Sequence, residues 1–177
     1  MKQPTLRGTR RGELHRVTVD EDALRRFVTE SNEIERIFRE PTKDEIDVTR
    51  EFIQSEVIIV DTMKDLVSVY QPYAQLRDKS GMNVQVGNYV APPGGSEIVT
   101  ELRDHLVAVQ SGKLSPFESY MRYEDLHPFT DGNGRSGRAL WAWRLVRTDY
   151  ARWFEEQGFL KAFHYQTFPA RRQWMKR

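Results

Sequence analysis

The chain has 177 residues, 27 of them Lys or Arg and 26 Asp or Glu, giving a formal net charge of +1. That length predicts one domain with room for a proper core, and the near-neutral charge gives no case for a nucleic-acid or membrane partner. Cysteine is absent, which excludes disulfides and thiolate metal ligands and agrees with a reducing cytosol.

The longest strongly apolar run, Val57-Ile58-Ile59-Val60, is far too short to span a bilayer, and no apolar h-region follows the first residues. A soluble, cytoplasmic chain is expected, with secretion as an effector left open. Residues 1–18 carry Arg7, Arg10, Arg11, Arg16, Gly8 and Gly12 with no apolar period. This is the composition of a flexible N-terminal arm in which His15 faces solvent. The domain is expected over 19–177.

Asp20 is placed to cap a helix bearing Ala23, Leu24, Phe27 and Val28 at core spacing. Ser31-Asn32-Glu33-Ile34-Glu35-Arg36-Ile37-Phe38 reads as a charged helix end with Ile34, Ile37 and Phe38 inward, closed by Pro41. Thr42-x-x-Glu45 is a capping box that opens the next helix. Ile46, Ile53, Val57, Val60, Lys64 and Val67 then track one stripe, predicting a single helix of about 28 residues, roughly 40 Å, to Tyr70 and Pro72.

The stretch 77–95 is the least helical. Gly81, Gly87, Pro92, Pro93, Gly94 and Gly95 punctuate it, and Asn83-Val84-Gln85-Val86 alternates as a strand would, so a surface hairpin is expected. Ser96 begins a helix with Ile98, Val99, Leu102, Leu106 and Val109 inward, and His105 beside that stripe reads as a packing residue. Ser115-Pro116-Phe117-Glu118 combines an N-cap, an N1 proline and a capping-box glutamate. The helix it starts runs through Tyr120, Met121 and Leu126. Another over 135–146 buries Ala139, Leu140, Trp143, Leu145 and Val146, with Trp141 at the core margin. Short helices near 149–157 and 160–166 and a basic tail over 171–177 complete an all-α bundle of about seven helices with one β-hairpin.

The chemistry concentrates in His127-Pro128-Phe129-Thr130-Asp131-Gly132-Asn133-Gly134-Arg135-Ser136-Gly137-Arg138. Pro128 biases His127 out of αR, so the arriving helix ends there and the imidazole sits on a fixed turn as a candidate base. Phe129 anchors the turn in the core. Gly132 and Gly134 permit positive φ and a close backbone approach. The helix that follows offers its free N–H groups as an anion site, with Arg135 and Arg138 on one face of the first turn. A zinc site built on His127 and Asp131 is disfavoured, because Pro128 and Gly132 break the helix between them and no further His or Cys lies nearby.

HPFTDGNGRSGR resembles the signature of the Fic family, H-x-F-x-[DE]-G-N-G-R-x-x-R, at every specified position. The resemblance implies the Fic fold, a small helical bundle with one short β-hairpin flap. It places the flap at Met82 to Tyr89, where Asn83, Val84, Gln85, Val86 and Gly87 would hold a target segment by strand pairing. It implies transfer of AMP from ATP to a Ser, Thr or Tyr hydroxyl of a target protein, the chain itself included. His127 would take the hydroxyl proton and Asp131 would hold Mg²⁺. Gly132, Asn133 and Gly134 would cradle phosphate oxygens, and Arg135 and Arg138 would neutralise the β- and γ-phosphates.

Doc-type relatives phosphorylate instead and carry lysine at the second loop glycine, where this chain has Gly134. Phosphocholine transfer and a silenced ATP-binding regulatory module are the remaining alternatives. Many family members also carry an inhibitory segment, [ST]-x-x-x-E-[GN], whose glutamate pairs with the second signature arginine. Ser31 through Glu35 fits it, so 31–36 is the expected inhibitory segment; Arg36 departs from the pattern. The partners implied are ATP and a hydroxyl-bearing protein, with neither membrane nor nucleic acid, and homo-oligomerisation is left open.

Overall fold

A computed structural model of the chain describes residues 17–148. The arm up to residue 16, the helices expected near 149–157 and 160–166, and the basic tail lie outside the described residues. Within them run α1 (Glu21–Ile34), α2 (Lys43–Gln54), α3 (Val60–Tyr70), β1 (Gln85–Val86), β2 (Tyr89–Val90), α4 (Ser96–Gln110), α5 (Pro116–Leu126) and α6 (Asn133–Leu145). The class is all-α with a small hairpin, as the patterning predicts.

Three helix starts follow the caps written in the sequence. Asp20 Oδ1 accepts from Ala23 N at 2.8 Å. Thr42 and Glu45 exchange side-chain bonds with each other's backbone N–H at 3.2 and 2.8 Å. Ser115 and Glu118 do the same at 3.2 and 2.9 Å, with Pro116 at the first helical position. Each such cap contributes about 1 kcal/mol by satisfying a donor the helix cannot.

The single long helix expected from Thr42 to Tyr70 is two helices. Ser55 leaves the helical region at ψ 130°, and the chain re-enters it at Val60. Val57, Ile58, Ile59 and Val60 are β-branched residues in a row, poor at continuing a helix. Other elements supply the backbone partners the ladder would have given. Ser55 O accepts from Trp143 Nε1 at 2.8 Å and Arg147 NH2 at 2.7 Å. The Gln110 amide bonds both Ile58 N and Ile58 O, at 3.0 and 2.8 Å. The break rotates the stripe: Ile58 is fully buried, whereas Val57, expected inward, is exposed.

α6 lies at the centre, packed by α1, α2, α3 and, most extensively, α5. Every residue from Arg135 to Trp143 is buried. Trp141, expected at the margin, is inside and stacks on Phe27 with ring centroids 6.5 Å apart. At the end of α1, Phe38 is exposed rather than inward, and Ser31 and Asn32 take the buried positions. Nor does Pro41 close that helix. Arg36 turns left-handed at φ 62°, and Arg36 N and Ile37 N bond back to Glu33 O and Asn32 O at 2.9 and 3.0 Å. This paired closure is a Schellman motif.

Candidate active site

α5 presents His127. Its N–H closes the helix on Tyr123 O at 2.9 Å, and the residue then turns left-handed at φ 49° and ψ 60°. Outside glycine that conformation costs roughly 1–2 kcal/mol. The adjoining Phe129 is 1% exposed, and burying a phenylalanine contributes roughly 1.5–3 kcal/mol, enough to hold the turn. His127 Nδ1 lies 3.2 Å from Glu124 O. A carbonyl can only accept, so this contact puts the proton on Nδ1 and leaves the neutral ring's lone pair on Nε2.

The loop after His127 is stitched to residues 75–77. Thr130 N donates to Gln75 O at 2.9 Å, Gln75 N to Thr130 Oγ1 at 2.9 Å, and Arg77 N to Pro128 O at 2.9 Å. Asn133 spans the inside of the turn, accepting from Phe129 N at 2.9 Å and donating to Phe129 O at 2.8 Å. Its amide therefore shapes the loop.

Gly132 caps α6 in the left-handed region at φ 77°, and a Cβ there would also press Val67 Cγ1 at 3.3 Å. Gly134, expected to share that positive φ, is helical. A methyl group at 134 would overlap Glu35 Oε1 and press Arg138 NH1 at 3.1 Å, so it would push the glutamate aside.

Asp131 is exposed, and its Oδ1 accepts from Gly132 N at 2.6 Å. Among the described residues no group of three or more His, Cys, Asp or Glu could hold a metal ion. A cation here would rest on this one carboxylate, on substrate oxygens and on water, a donor set that fits Mg²⁺.

Both signature arginines are buried. Arg135 is 4% exposed, stacks on the Tyr70 ring with 4.9 Å from Cζ to centroid, and donates from NH2 to Tyr70 O at 3.2 Å. Desolvation pulls its pKa below the usual arginine value, and Glu35 opposes the shift. Arg138 is 1% exposed. Its Nε donates to Ser31 Oγ at 2.9 Å, and its NH2 donates to Ser31 O at 3.0 Å and Glu35 Oε1 at 2.6 Å. Arg138 NH1 and Arg135 Nε are buried without a hydrogen-bond partner among the described residues. Buried unbonded donors are costly and suit a pocket meant for an anion.

A polar knot missed in the sequence fixes the α1 end against α2. Glu45, read only as a capping residue, is 3% exposed and takes a two-pronged bond from Arg39 at 2.8 and 2.9 Å and one from Asn32 Nδ2 at 3.3 Å. Burial alone would raise its pKa, but Arg39 and the Thr42 N–H hold it below the ordinary glutamate value.

One cleft of about 660 Å³ brings these parts together. His127, Asp131, Gly132, Asn133, Gly134, Arg135 and Arg138 line one side, Glu35 with Ile34 and Ile37 another, and Val84, Gln85 and Val86 of the hairpin a third. Ser31 reaches the site only through Arg138. Asn83, expected in the docking strand, instead ties the hairpin base through Oδ1 to Gly94 N at 3.1 Å, and Gly87 forms the turn at φ 58°. The strands pair only as Gln85 with Val90 and Val86 with Tyr89.

The cleft also includes Tyr120, Glu124, Gln71 and Thr130. Tyr120 and Glu124 precede His127 by seven and three residues, a helical spacing that could have revealed them. Nothing in the sequence marks Gln71. Comparisons with family models, curated proteins and solved structures found no match to this chain.

Proposed function

We propose that this chain is a Fic-type protein adenylyltransferase whose active cleft is occupied by its own inhibitory glutamate. The observation that carries this reading is Arg138. A buried guanidinium at the end of an anion-binding loop is held by Ser31 and Glu35, more than a hundred residues earlier, inside the cleft that contains His127. The resemblance stated on sequence alone joins the same residues.

In the proposed reaction a target hydroxyl oxygen forms a bond to the α-phosphorus of ATP and the bond to the β-phosphate bridge breaks. Pyrophosphate leaves, and the hydroxyl proton passes to Nε2 of His127. The first-turn N–H groups of α6, together with Arg135 and Arg138, would receive phosphate charge. Mg²⁺, held at Asp131, would supply further charge neutralisation. The chain's residues would act by positioning and electrostatics, and none bonds covalently to the nucleotide. Glu35 blocks this by taking the donors on Arg138 that a terminal phosphate would use.

The test is mass spectrometry of wild type and Glu35→Gly after incubation with ATP and Mg²⁺. A gain of one AMP, larger in the variant, is the expected result. Addition of a phosphate would replace this reading with phosphotransfer. No modification in either protein, on itself or in a cell lysate, would leave a silenced nucleotide-binding module.

A further inference from the structure

Arg77 is fully buried and forms no ion pair among the described residues; its guanidinium bonds go to main-chain carbonyls on two elements. Nε donates to His127 O at 2.7 Å and NH2 to Leu126 O at 2.9 Å, both at the C-terminal end of α5. NH1 donates to Met82 O at 3.1 Å and Pro92 O at 2.7 Å, one on each side of the hairpin base.

Helix C-terminal carbonyls lack intrahelical donors and carry the negative end of the dipole, so a cation is well placed there. Desolvation lowers the pKa of Arg77. A buried charge of this kind persists when its hydrogen bonds are well made, and one planar group joining two elements makes them. A second tie runs the same way: Tyr89 of β2 donates its hydroxyl to Asp125 O. The hairpin and the His127 turn are thus fastened to the same helix end.

We propose that Arg77 is a positioning residue that locks the flap and the His127 turn into one unit, so that a hydroxyl carried along the flap meets the imidazole in register. This rests on the adenylyltransferase reading. Arg77 touches neither the phosphate loop's N–H groups nor Arg138, so its role is separable from nucleotide binding. Lysine in its place keeps the charge but has no planar fork to span both sets of carbonyls.

The experiment uses the full chain carrying Glu35→Gly as parent, with Arg77→Lys and Tyr89→Phe added singly. Three quantities are read: ATP affinity by calorimetry, AMP transfer to the protein itself by intact mass, and amide hydrogen exchange of the flap and of His127 N–H. ATP affinity should stay within about twofold of the parent, while transfer falls about a hundredfold in Arg77→Lys, the scale of a misplacement near 1 Å, and less in Tyr89→Phe. In Arg77→Lys flap amides and His127 N–H should lose protection together, because Arg77 is bonded to both.

Faster flap exchange with His127 N–H still protected would overturn the coupling. Transfer that falls only as far as ATP affinity does would reduce Arg77 to a structural residue. Absence of transfer in the parent would sink the adenylyltransferase reading, while the exchange comparison still decides the tether.

Discussion

Arg36 occupies the one position where this chain departs from the inhibitory pattern, and its backbone gives the reason glycine or asparagine is expected there. At φ 62° it makes the left-handed turn that closes α1, with Ile37 N bonding back to Asn32 O at 3.0 Å. A side chain with a Cβ carries roughly 1–2 kcal/mol of strain in that conformation. Glycine would remove the strain but give back about 0.5–1 kcal/mol as extra entropy of the unfolded chain. Arg36→Gly should therefore stabilise the protein by up to about 1.5 kcal/mol, centred at ~0.75 kcal/mol, raising Tm by about 2–3 °C for a chain of this size.

Glu35 is the residue just before this turn, so a firmer closure steadies its carboxylate on Arg138. If the whole gain falls on the docked segment, basal AMP transfer should drop about two- to fivefold. Urea unfolding measures the first effect as a higher midpoint at unchanged slope, and labelled-ATP incorporation measures the second. Arg36→Ala, which keeps the Cβ, should show neither. A midpoint for Arg36→Gly equal to or below wild type would refute the strain argument.

Glu35→Gly should raise transfer roughly tenfold or more. The charge-assisted bond to Arg138 contributes about 1.5–3 kcal/mol before discounting for the glutamate, whose side chain is 39% exposed. His127→Ala should abolish transfer and leave ATP affinity near the parent's by calorimetry; transfer near the wild-type rate would remove the general-base role. Gly137→Ala should cost up to about 2 kcal/mol in urea unfolding, the overpacking of Tyr123 Cδ1 at 3.0 Å and Glu124 Oε1 at 2.8 Å less about 1 kcal/mol of alanine's helix preference.

His105 adds a pH dependence. Burial pulls its pKa from 6.5 to about 4, so its contribution to stability is complete above pH 6.5 and is lost as pH falls toward 4. In His105→Gln that part of the decline in the urea midpoint should vanish, and an unchanged profile would place the titration elsewhere.

The sequence by itself determined the three helix starts capped by Asp20, Thr42 and Ser115, the turn at His127 and the order of groups in the loop that follows. These are local: a capping oxygen three residues from its donor, or a proline acting on its neighbour, needs no tertiary partner. The pairing of Glu35 with Arg138, with Ser31 four residues before it, is what the resemblance implies. Whether they meet Arg138 was a matter of packing, settled by the Arg39–Glu45–Asn32 knot that seats α1 on α2.

Tertiary structure alone decided the break at Ser55–Ile59, because the donors that replace the helical ladder come from Trp143, Arg147 and Gln110. It likewise decided that α6 is buried on every side. Its first turns carry the polar Asn133, Arg135, Ser136 and Arg138, and Tyr70, Ser31 and the loop carbonyls satisfy most of those groups inside the protein. Arg77 makes the same point. A sequence ranks an arginine as a surface residue, and only the convergence of four carbonyls from α5 and the hairpin gives its donors a reason to be buried.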